Sequence, residues 1–461
     1  MHDVAVIGGG VIGCAVARLL ALDGRSVVLV ERHHDVGAGT SKANTAILHT
    51  GFDATPGSTE ARLVARGYEL LLAHAPTVGV SIEETGALLV AWDDDQAAAL
   101  DGIQSKALAN GYRHTELIDS HEVRRLEPHL GPGLARGLLV PGEHLVDPWS
   151  TPLAFAHEAM ANGAALMLRF TVDAVHIGPD HTTLRALDGR SVLARYVVNA
   201  AGLSGDEIHR HFGYDGFTIR PRRGELIVFD KLARPLLTRT ILPVPTAHTK
   251  GVLVAPTVFG NVLVGPTADD IDDRTDTAST QRGLDDLLTK SRHILPELAD
   301  VEVTAVYAGV RAATEHPDYH LSADRAGRYV CLGGIRSTGL TASMALAEEA
   351  RGLLRSIGLD ATPNADGGGT TQDRPVRIRM VPLGEAGPRP YQEADPARAW
   401  GRIVCHCERV TEREITDACR GPLPATDVDG LRRRTRAVAG RCQGFYCSAE
   451  IAALTGWDPS R

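Results

Sequence analysis

Five of the seven cysteines, Cys405, Cys407, Cys419, Cys442 and Cys447, crowd into the last stretch of the chain. Four of them fall in two short segments, Val404-Cys405-His406-Cys407-Glu408 and Gly440-Arg441-Cys442-Gln443-Gly444-Phe445-Tyr446-Cys447, giving C-x-C … C-x4-C. An odd, clustered set in a chain without a secretion signal points to a metal or redox site and not to a disulfide frame. Four thiolates from two loops, each followed by a helix, fit an all-cysteine [2Fe–2S] site. Gly440 and Gly444 let amide N–H groups turn toward the sulfurs, which tunes the potential. Structural zinc is the alternative, although zinc more often uses C-x2-C knuckles. Cys419 falls outside the pattern and is expected to pack as a small apolar residue on its helix, Thr411–Cys419. The arginines between Leu431 and Arg441 would offset the negative charge of a thiolate-ligated cluster, form a solvated basic helix, or do both.

A second chemistry-bearing pattern opens the chain. Asp3–Ile7 is a short Val/Ile run and reads as a buried parallel strand. Gly8-Gly9-Gly10-Val11-Ile12-Gly13 follows at once, then a helical stretch over Cys14–Ala21 and a second strand, Ser26–Val30, ending at Glu31. This is the strand–turn–helix context of dinucleotide binding. Gly8 permits the tight turn, Gly10 lets backbone approach a pyrophosphate, and Gly13 lets the helix pack on the strand. The helix N-terminus offers N–H groups to phosphate, and Glu31 offers a carboxylate to a ribose hydroxyl. The unit alone does not separate FAD from NAD.

Later segments do. Gly37-Ala38-Gly39-Thr40-Ser41-Lys42-Ala43-Asn44-Thr45-Ala46-Ile47-Leu48-His49-Thr50-Gly51 is small and polar and suits backbone passing around a large planar ligand. Val197-Val198-Asn199-Ala200-Ala201-Gly202 is a strand ending in small residues, and Gly333-Gly334-Ile335-Arg336-Ser337-Thr338-Gly339-Leu340-Thr341 is another strand-to-helix turn, opening a helix over Ala342–Ile357. Together these motifs resemble the FAD-dependent D-amino-acid-oxidase/glycerol-3-phosphate dehydrogenase superfamily. Ser41–Asp53 most resembles its glycerol-3-phosphate dehydrogenase and L-2-hydroxyglutarate oxidase branch. The cysteine segments C-H-C-E and G-R-C-Q-G-x-x-C resemble the bacterioferritin-associated-ferredoxin-like [2Fe–2S] domain, whose ligands would be Cys405, Cys407, Cys442 and Cys447.

The resemblance implies FAD held by Gly8, Gly10, Gly13 and Glu31 at the ADP half, and by Thr40, Ser41, Asn44 and Thr45 along the pyrophosphate and flavin. Val172, in a strand over Leu168–Val175, would hold the adenine through its backbone. Ala200 and Gly202 would let the chain approach the nucleotide, and Gly334, Gly339, Leu340 and Thr341 would lie beside the isoalloxazine. A helix starting there would aim N–H groups at the charge of a reduced flavin. His49, in the flavin-proximal loop, is the candidate base, with packing against the flavin or fixing of the loop as its other reading. The family places an anion-binding arginine where Arg311 ends Tyr307-Ala308-Gly309-Val310-Arg311; a surface ion pair is the alternative. Arg336 would add positive charge near the substrate or face solvent, Lys250 is read as a loop lysine, and Asp147-Pro148 as structural.

These residues need a large scaffold. The chain has 461 residues, enough for two or three domains. The expected architecture is α/β: a Rossmann-like FAD-binding domain with an inserted mixed-sheet substrate domain, plus a small C-terminal α iron–sulfur domain. The FAD-dependent oxidoreductase part spans 1–357, with FAD-binding pieces at about 1–75, 146–204 and 311–357 and the substrate domain at about 76–145 and 205–310. Strands of the latter are expected at Gly224–Phe229, Gly251–Pro256 and Asn261–Gly265. Residues 358–400, rich in Gly, Pro and polar side chains, read as a linker, and 401–461 as the cluster domain. A formal charge of −9 argues against nucleic-acid binding. No apolar run reaches roughly 18–20 residues, and Met1-His2-Asp3 has no basic leader. A cytoplasmic protein is expected, with peripheral membrane contact left open.

A flavin takes a hydride, and a [2Fe–2S] cluster passes single electrons. Joined in one chain, they imply a dehydrogenase of a small polyol phosphate or 2-hydroxy acid, with glycerol 3-phosphate first, that hands electrons to a redox partner subunit or a quinone-linked acceptor. Oxidation of an amino acid or secondary amine, and an electron-transfer subunit without substrate turnover, are the other two readings.

Overall fold

The structure is a computed structural model that describes residues 1–245, 251–360, 375–385, 387, 389–392 and 400–457. The opening Val/Ile run forms the strand His2–Ile7, flanked in parallel by Val27–Val30 on one side and Ser191–Asn199 on the other. Ala165–Met167 and Tyr329–Gly333 extend the parallel set outward. Strands buried on both faces carry no polar alternation, and Val4, Val6, Val27 and Leu29 are almost fully enclosed. Each such side chain contributes roughly 1.5–3 kcal/mol of burial free energy. Helix Val11–Leu22 packs against both Ser150–Ala161 and Gly339–Ser356 on one face of this sheet. An antiparallel strand, His320–Asp324, closes one edge. A hairpin, Val172–Ile177 with Thr182–Ala186, hangs on the start of Ser191–Asn199. The strand expected at Leu168–Val175 begins only at Val172, because Arg169 takes a left-handed conformation (φ 54°) that interrupts extended pairing.

A second, nine-stranded mixed sheet is drawn from intervening stretches. Its longest ladder pairs Ile219–Phe229 antiparallel with Val303–Thr314, which sets Gly224 opposite Gly309 and Arg222 opposite Arg311. Leu253–Pro256 and Val262–Gly265 continue it, and a parallel pair, Thr240–Pro243 with Ala87–Ala91, makes it mixed. A three-stranded sheet of Ile47–Leu48, His144–Val146 and Ile82–Glu83 joins the two layers.

The stretch 375–385 is not a free tether. Met380 N–H donates to Val78 O at 2.8 Å, Glu385 N–H to Val258 O at 2.9 Å, and Leu383 is buried. Its few apolar side chains dock on surface already built, so no core of its own is needed.

The C-terminal unit has its own core of Val404, Val410, Ile415, Leu431 and Ile451. Besides helices Glu412–Ala418, Val428–Thr435 and Ser448–Thr455 it contains a two-stranded antiparallel piece, Ile403–Cys405 with Val410–Thr411. Thr411 and Glu414 form a reciprocal capping box on the first helix.

Candidate functional site

The first turn is built for close approach. Gly8 has φ 106°, and a Cβ there would strike the Ala200 carbonyl; a Cβ on Gly13 would strike the Gly8 carbonyl. Glu31 accepts from Gly9 N–H at 2.5 Å and His33 N–H at 2.8 Å, so its carboxylate lies across the turn. Gly10 caps the helix without a side-chain bond, and Ser41 Oγ accepts from Val11 N–H at 3.0 Å. An open helix N-terminus beside a hydroxyl and a Cβ-free turn suits a pyrophosphate.

The loop after Gly39 is clamped from three sides. Thr40 Oγ1 donates to Val310 O at 2.9 Å, and Tyr307 Oη to Asn44 O at 3.2 Å. Gly309 presses so close to Ala43 O that no Cβ would fit. Asn44 spans its own turn, donating to Ser41 O and accepting from Ala46 N–H, and Thr45 beside it is half-buried. At the loop's exit His49 N–H donates to Thr341 Oγ1 at 3.0 Å, which ties it to the helix that begins at Gly339-Leu340. Gly334 turns ahead of that helix with φ 67°. The dinucleotide turn, this loop, the helix start and the strand carrying Arg311 therefore converge. Val172 sits half-buried at the hairpin edge, and Gly202 is exposed beyond the strand that ends before Ala200.

His49 Nδ1 lies 2.9 Å from Glu143 Oε2. Glu143 is 0% exposed and also accepts from Thr50 N–H and Thr50 Oγ1 at 2.5 and 2.7 Å. Sequence reasoning missed it: it sits in the turn Pro141-Gly142-Glu143, far from His49 in the chain, and no spacing marks it.

Arg311 is not a surface ion pair. Its Nη2 donates to Thr267 O at 2.5 Å, and among the described residues no carboxylate lies within ion-pair distance. Burial, with Arg222 adding repulsion, pulls its pKa down to about 10. Such a cation is poised for an anion. Arg336 instead donates to the Pro317 carbonyl. Asp147 is buried and caps the following helix, accepting from Ser150 N–H. Lys250 lies outside the described residues.

The four patterned thiols gather in two pairs. Cys405 and Cys447 act most strongly on each other, and the adjoining thiol draws Cys405 down to about 6. Cys407, raised by burial, adjoins Cys442, which the Tyr446 amide holds low. Among the described residues no three donors form a cage for a single ion. Two thiol pairs suit a binuclear cluster, in which each iron takes two. Cys419 packs against the unit's core, its thiol raised by burial. Phe445, 94% exposed, and Tyr446 project from the loop between Cys442 and Cys447.

The neighbouring arginines are engaged mainly by carboxylates, and Arg441 also lies within electrostatic reach of Cys407. Arg433 Nη2 meets Asp35 Oδ2 at 2.6 Å with both side chains 2% exposed, and Arg434 Nη1 reaches the same oxygen at 2.6 Å. Arg441 pairs with Asp230 at 2.6 Å. Their charges hold the unit to the body.

The FAD dependent oxidoreductase family model matches residues 3–353, and the BFD-like [2Fe-2S] binding domain matches residues 403–455. The chain is 32% identical to a glycerol 3-phosphate dehydrogenase of Caloramator mitchellensis, over 98% of this chain and 94% of the relative. It is 29% identical to one subunit of the anaerobic glycerol-3-phosphate dehydrogenase of Escherichia coli K12, over 98% of this chain and 87% of that one. Dithionite-reduced L-alpha-glycerophosphate oxidase of Mycoplasma pneumoniae with FAD bound superimposes with TM-score 0.74 at 28% identity, covering 80% of this chain and 97% of the other.

Proposed function

The chain belongs to the FAD dependent oxidoreductase family, and we propose that it oxidises glycerol 3-phosphate at its secondary hydroxyl and passes the electrons through its own [2Fe–2S] domain to a separate redox subunit. The observation that carries the substrate class is Arg311, a half-buried guanidinium without a carboxylate partner among the described residues, on the strand that clamps the flavin loop. A phosphate supplies the missing counter-charge in bidentate fashion. The relatives' names supply glycerol 3-phosphate as the first candidate.

Bound FAD supplies the hydride acceptor and the bound cluster a one-electron relay. Gly8, Gly10, Gly13, Glu31 and Ser41 hold the dinucleotide, and Cys405, Cys407, Cys442 and Cys447 hold the cluster. Arg311 anchors the phosphate and so points the carbinol C–H inward. His49 takes the hydroxyl proton. Because Nδ1 donates to Glu143, Nε2 is the basic nitrogen. The buried Glu143 carboxylate holds the ring and favours the imidazolium that forms.

A cluster domain in a chain similar to one named as part of a multi-chain dehydrogenase supports delivery to a partner. Among the described residues no helix is long and apolar enough to cross a membrane.

An anaerobic titration with glycerol 3-phosphate, L-2-hydroxyglutarate and L-proline tests the reading. Bleaching of the flavin by glycerol 3-phosphate, followed by loss of the cluster bands, is the expected result. Bleaching only by L-proline would replace the polyol phosphate with an amine, and by L-2-hydroxyglutarate with a hydroxy acid.

A further inference from the structure

Arg436 occupies an unusual position. It ends helix Val428–Thr435 in the left-handed conformation, φ 69°, and is nevertheless buried. Its backbone N–H closes the helix end on Arg432 O at 2.8 Å, a role that leaves an arginine side chain free to reach water, so its burial persists only where surroundings impose it.

Three separate parts of the chain impose it here. Nε lies 2.9 Å from Glu408 Oε2, the residue next to Cys407. The guanidinium carbon sits 4.1 Å from the centre of the Phe259 ring, in the mixed-sheet layer, and 5.5 Å from that of Trp149. Trp149 and Phe259 are themselves in ring contact at 5.2 Å. Trp149 Nε1 then donates at 3.1 Å to the carbonyl of Lys42, inside the loop that would line the flavin. Glu408 receives a second cation, Lys231, at 3.2 Å. One buried guanidinium thus closes a contact chain from the flavin loop, through two aromatic rings, to the residue beside a cluster ligand.

We propose that Arg436 is a positioning residue that fixes the cluster-binding unit against the Trp149–Phe259 pair, so that electrons cross from the flavin side to the cluster through this junction without the unit swinging. This rests on the proposed function. Substrate oxidation releases a hydride and one hydroxyl proton. The hydride's two electrons would cross singly to two equivalents of a one-electron oxidant beyond the cluster while its own proton is released to solvent, and the hydroxyl proton leaves by way of His49. A swinging unit would have an exposed, hydrated contact surface. Arg436 and Glu408 are instead both withdrawn from water, where a cation over an aromatic face is held more strongly than at an exposed site.

The test uses the full chain loaded with FAD and cluster, comparing the natural protein with Arg436→Met, Arg436→Lys and Phe259→Leu. Flavin is reduced in two ways: by glycerol 3-phosphate, and by light with a deazaflavin sensitiser. Loss of the cluster bands is followed in time, and the reduced cluster's electron-paramagnetic-resonance signal is recorded. Arg436→Met is expected to leave flavin reduction by substrate unchanged, to slow cluster reduction roughly tenfold, and to expose the 401–461 unit to protease. Arg436→Lys restores part of the rate through its charge, and Phe259→Leu slows transfer without touching Glu408. Cluster reduction at the natural rate in both Arg436→Met and Phe259→Leu would overturn the proposal. If glycerol 3-phosphate fails to bleach the natural protein, the substrate reading falls, while the light-driven arm still decides the junction.

Discussion

Glu143 Oε2 stands 2.9 Å from His49 Nδ1 across a turn in which Glu143 is wholly shielded from water. Its other oxygen takes both Thr50 donors, so the carboxylate has no freedom to rotate away. A ring held in this way is fixed in orientation, as the proton-accepting role proposed for His49 requires.

Glu143→Gln keeps the volume and loses the charge. The amide can still accept from Thr50, so the loop should keep its shape. Substrate-dependent flavin reduction is expected to slow roughly 100-fold, with little change in KM. Stopped-flow reduction at saturating glycerol 3-phosphate measures this; a rise in KM at unchanged kcat would instead assign Glu143 to substrate binding.

Arg311 gives a prediction with a pH sign. Partial burial lowers its pKa to about 10, so the half-buried cation costs the folded chain stability at neutral pH until an anion joins it. Inorganic phosphate should therefore raise Tm. The effect should fade as pH rises through about 10, where the guanidinium loses its proton. Arg311→Ala should abolish the phosphate shift and raise KM roughly 10- to 100-fold. Calorimetry with and without phosphate checks the first, steady-state kinetics the second.

The thiol assignment separates cluster from body. Replacing Cys405, Cys407, Cys442 or Cys447 singly by Ser should remove the cluster's visible bands and its iron while FAD content stays, because the glycine turn and Glu31 belong to another core. Cys419→Ala, at a site that packs against the small core, should keep both chromophores. Iron, sulfide and flavin analysis on anaerobically purified variants decides this; zinc in place of iron would remove the relay.

What the sequence revealed follows from how local each feature is. Gly8, Gly13 and Glu31 act within one strand–turn–helix unit, and the four cysteines within two short loops, so type and spacing exposed both. Glu143 was invisible because it meets His49 only after the strands Ile47–Leu48 and His144–Val146 pair. The arginines near the cluster were visible as charge, yet their direction was not. Asp35, Asp230 and Glu408 decide where they point, and two of those three come from the other domains. Arg311 was placed by resemblance; that no carboxylate among the described residues pairs with it needed the structure.

Asp35 is where the cluster unit's attachment should respond to acid. Burial pushes its carboxyl up, but the bond from Arg434 and the charges of Arg434 and Arg433 outweigh this and hold it below the ordinary aspartate range. A depressed pKa contributes stability that is fully present above the unfolded value, about 3.9, and is lost as pH falls through the folded value. Docking of the 401–461 unit should thus hold through neutral pH and weaken below about pH 4. Asp35→Asn removes the carboxylate that Arg433 and Arg434 share and leaves the buried Arg433 only the longer Asp429 contact at 3.5 Å, a loss approaching about 3–5 kcal/mol, and should undock the unit at neutral pH. A separate early transition in calorimetry, with protease cleavage ahead of residue 401, is the expected signature. A single cooperative transition at the natural Tm would mean that the Arg441–Asp230 and Lys231–Glu408 contacts hold the unit without Asp35.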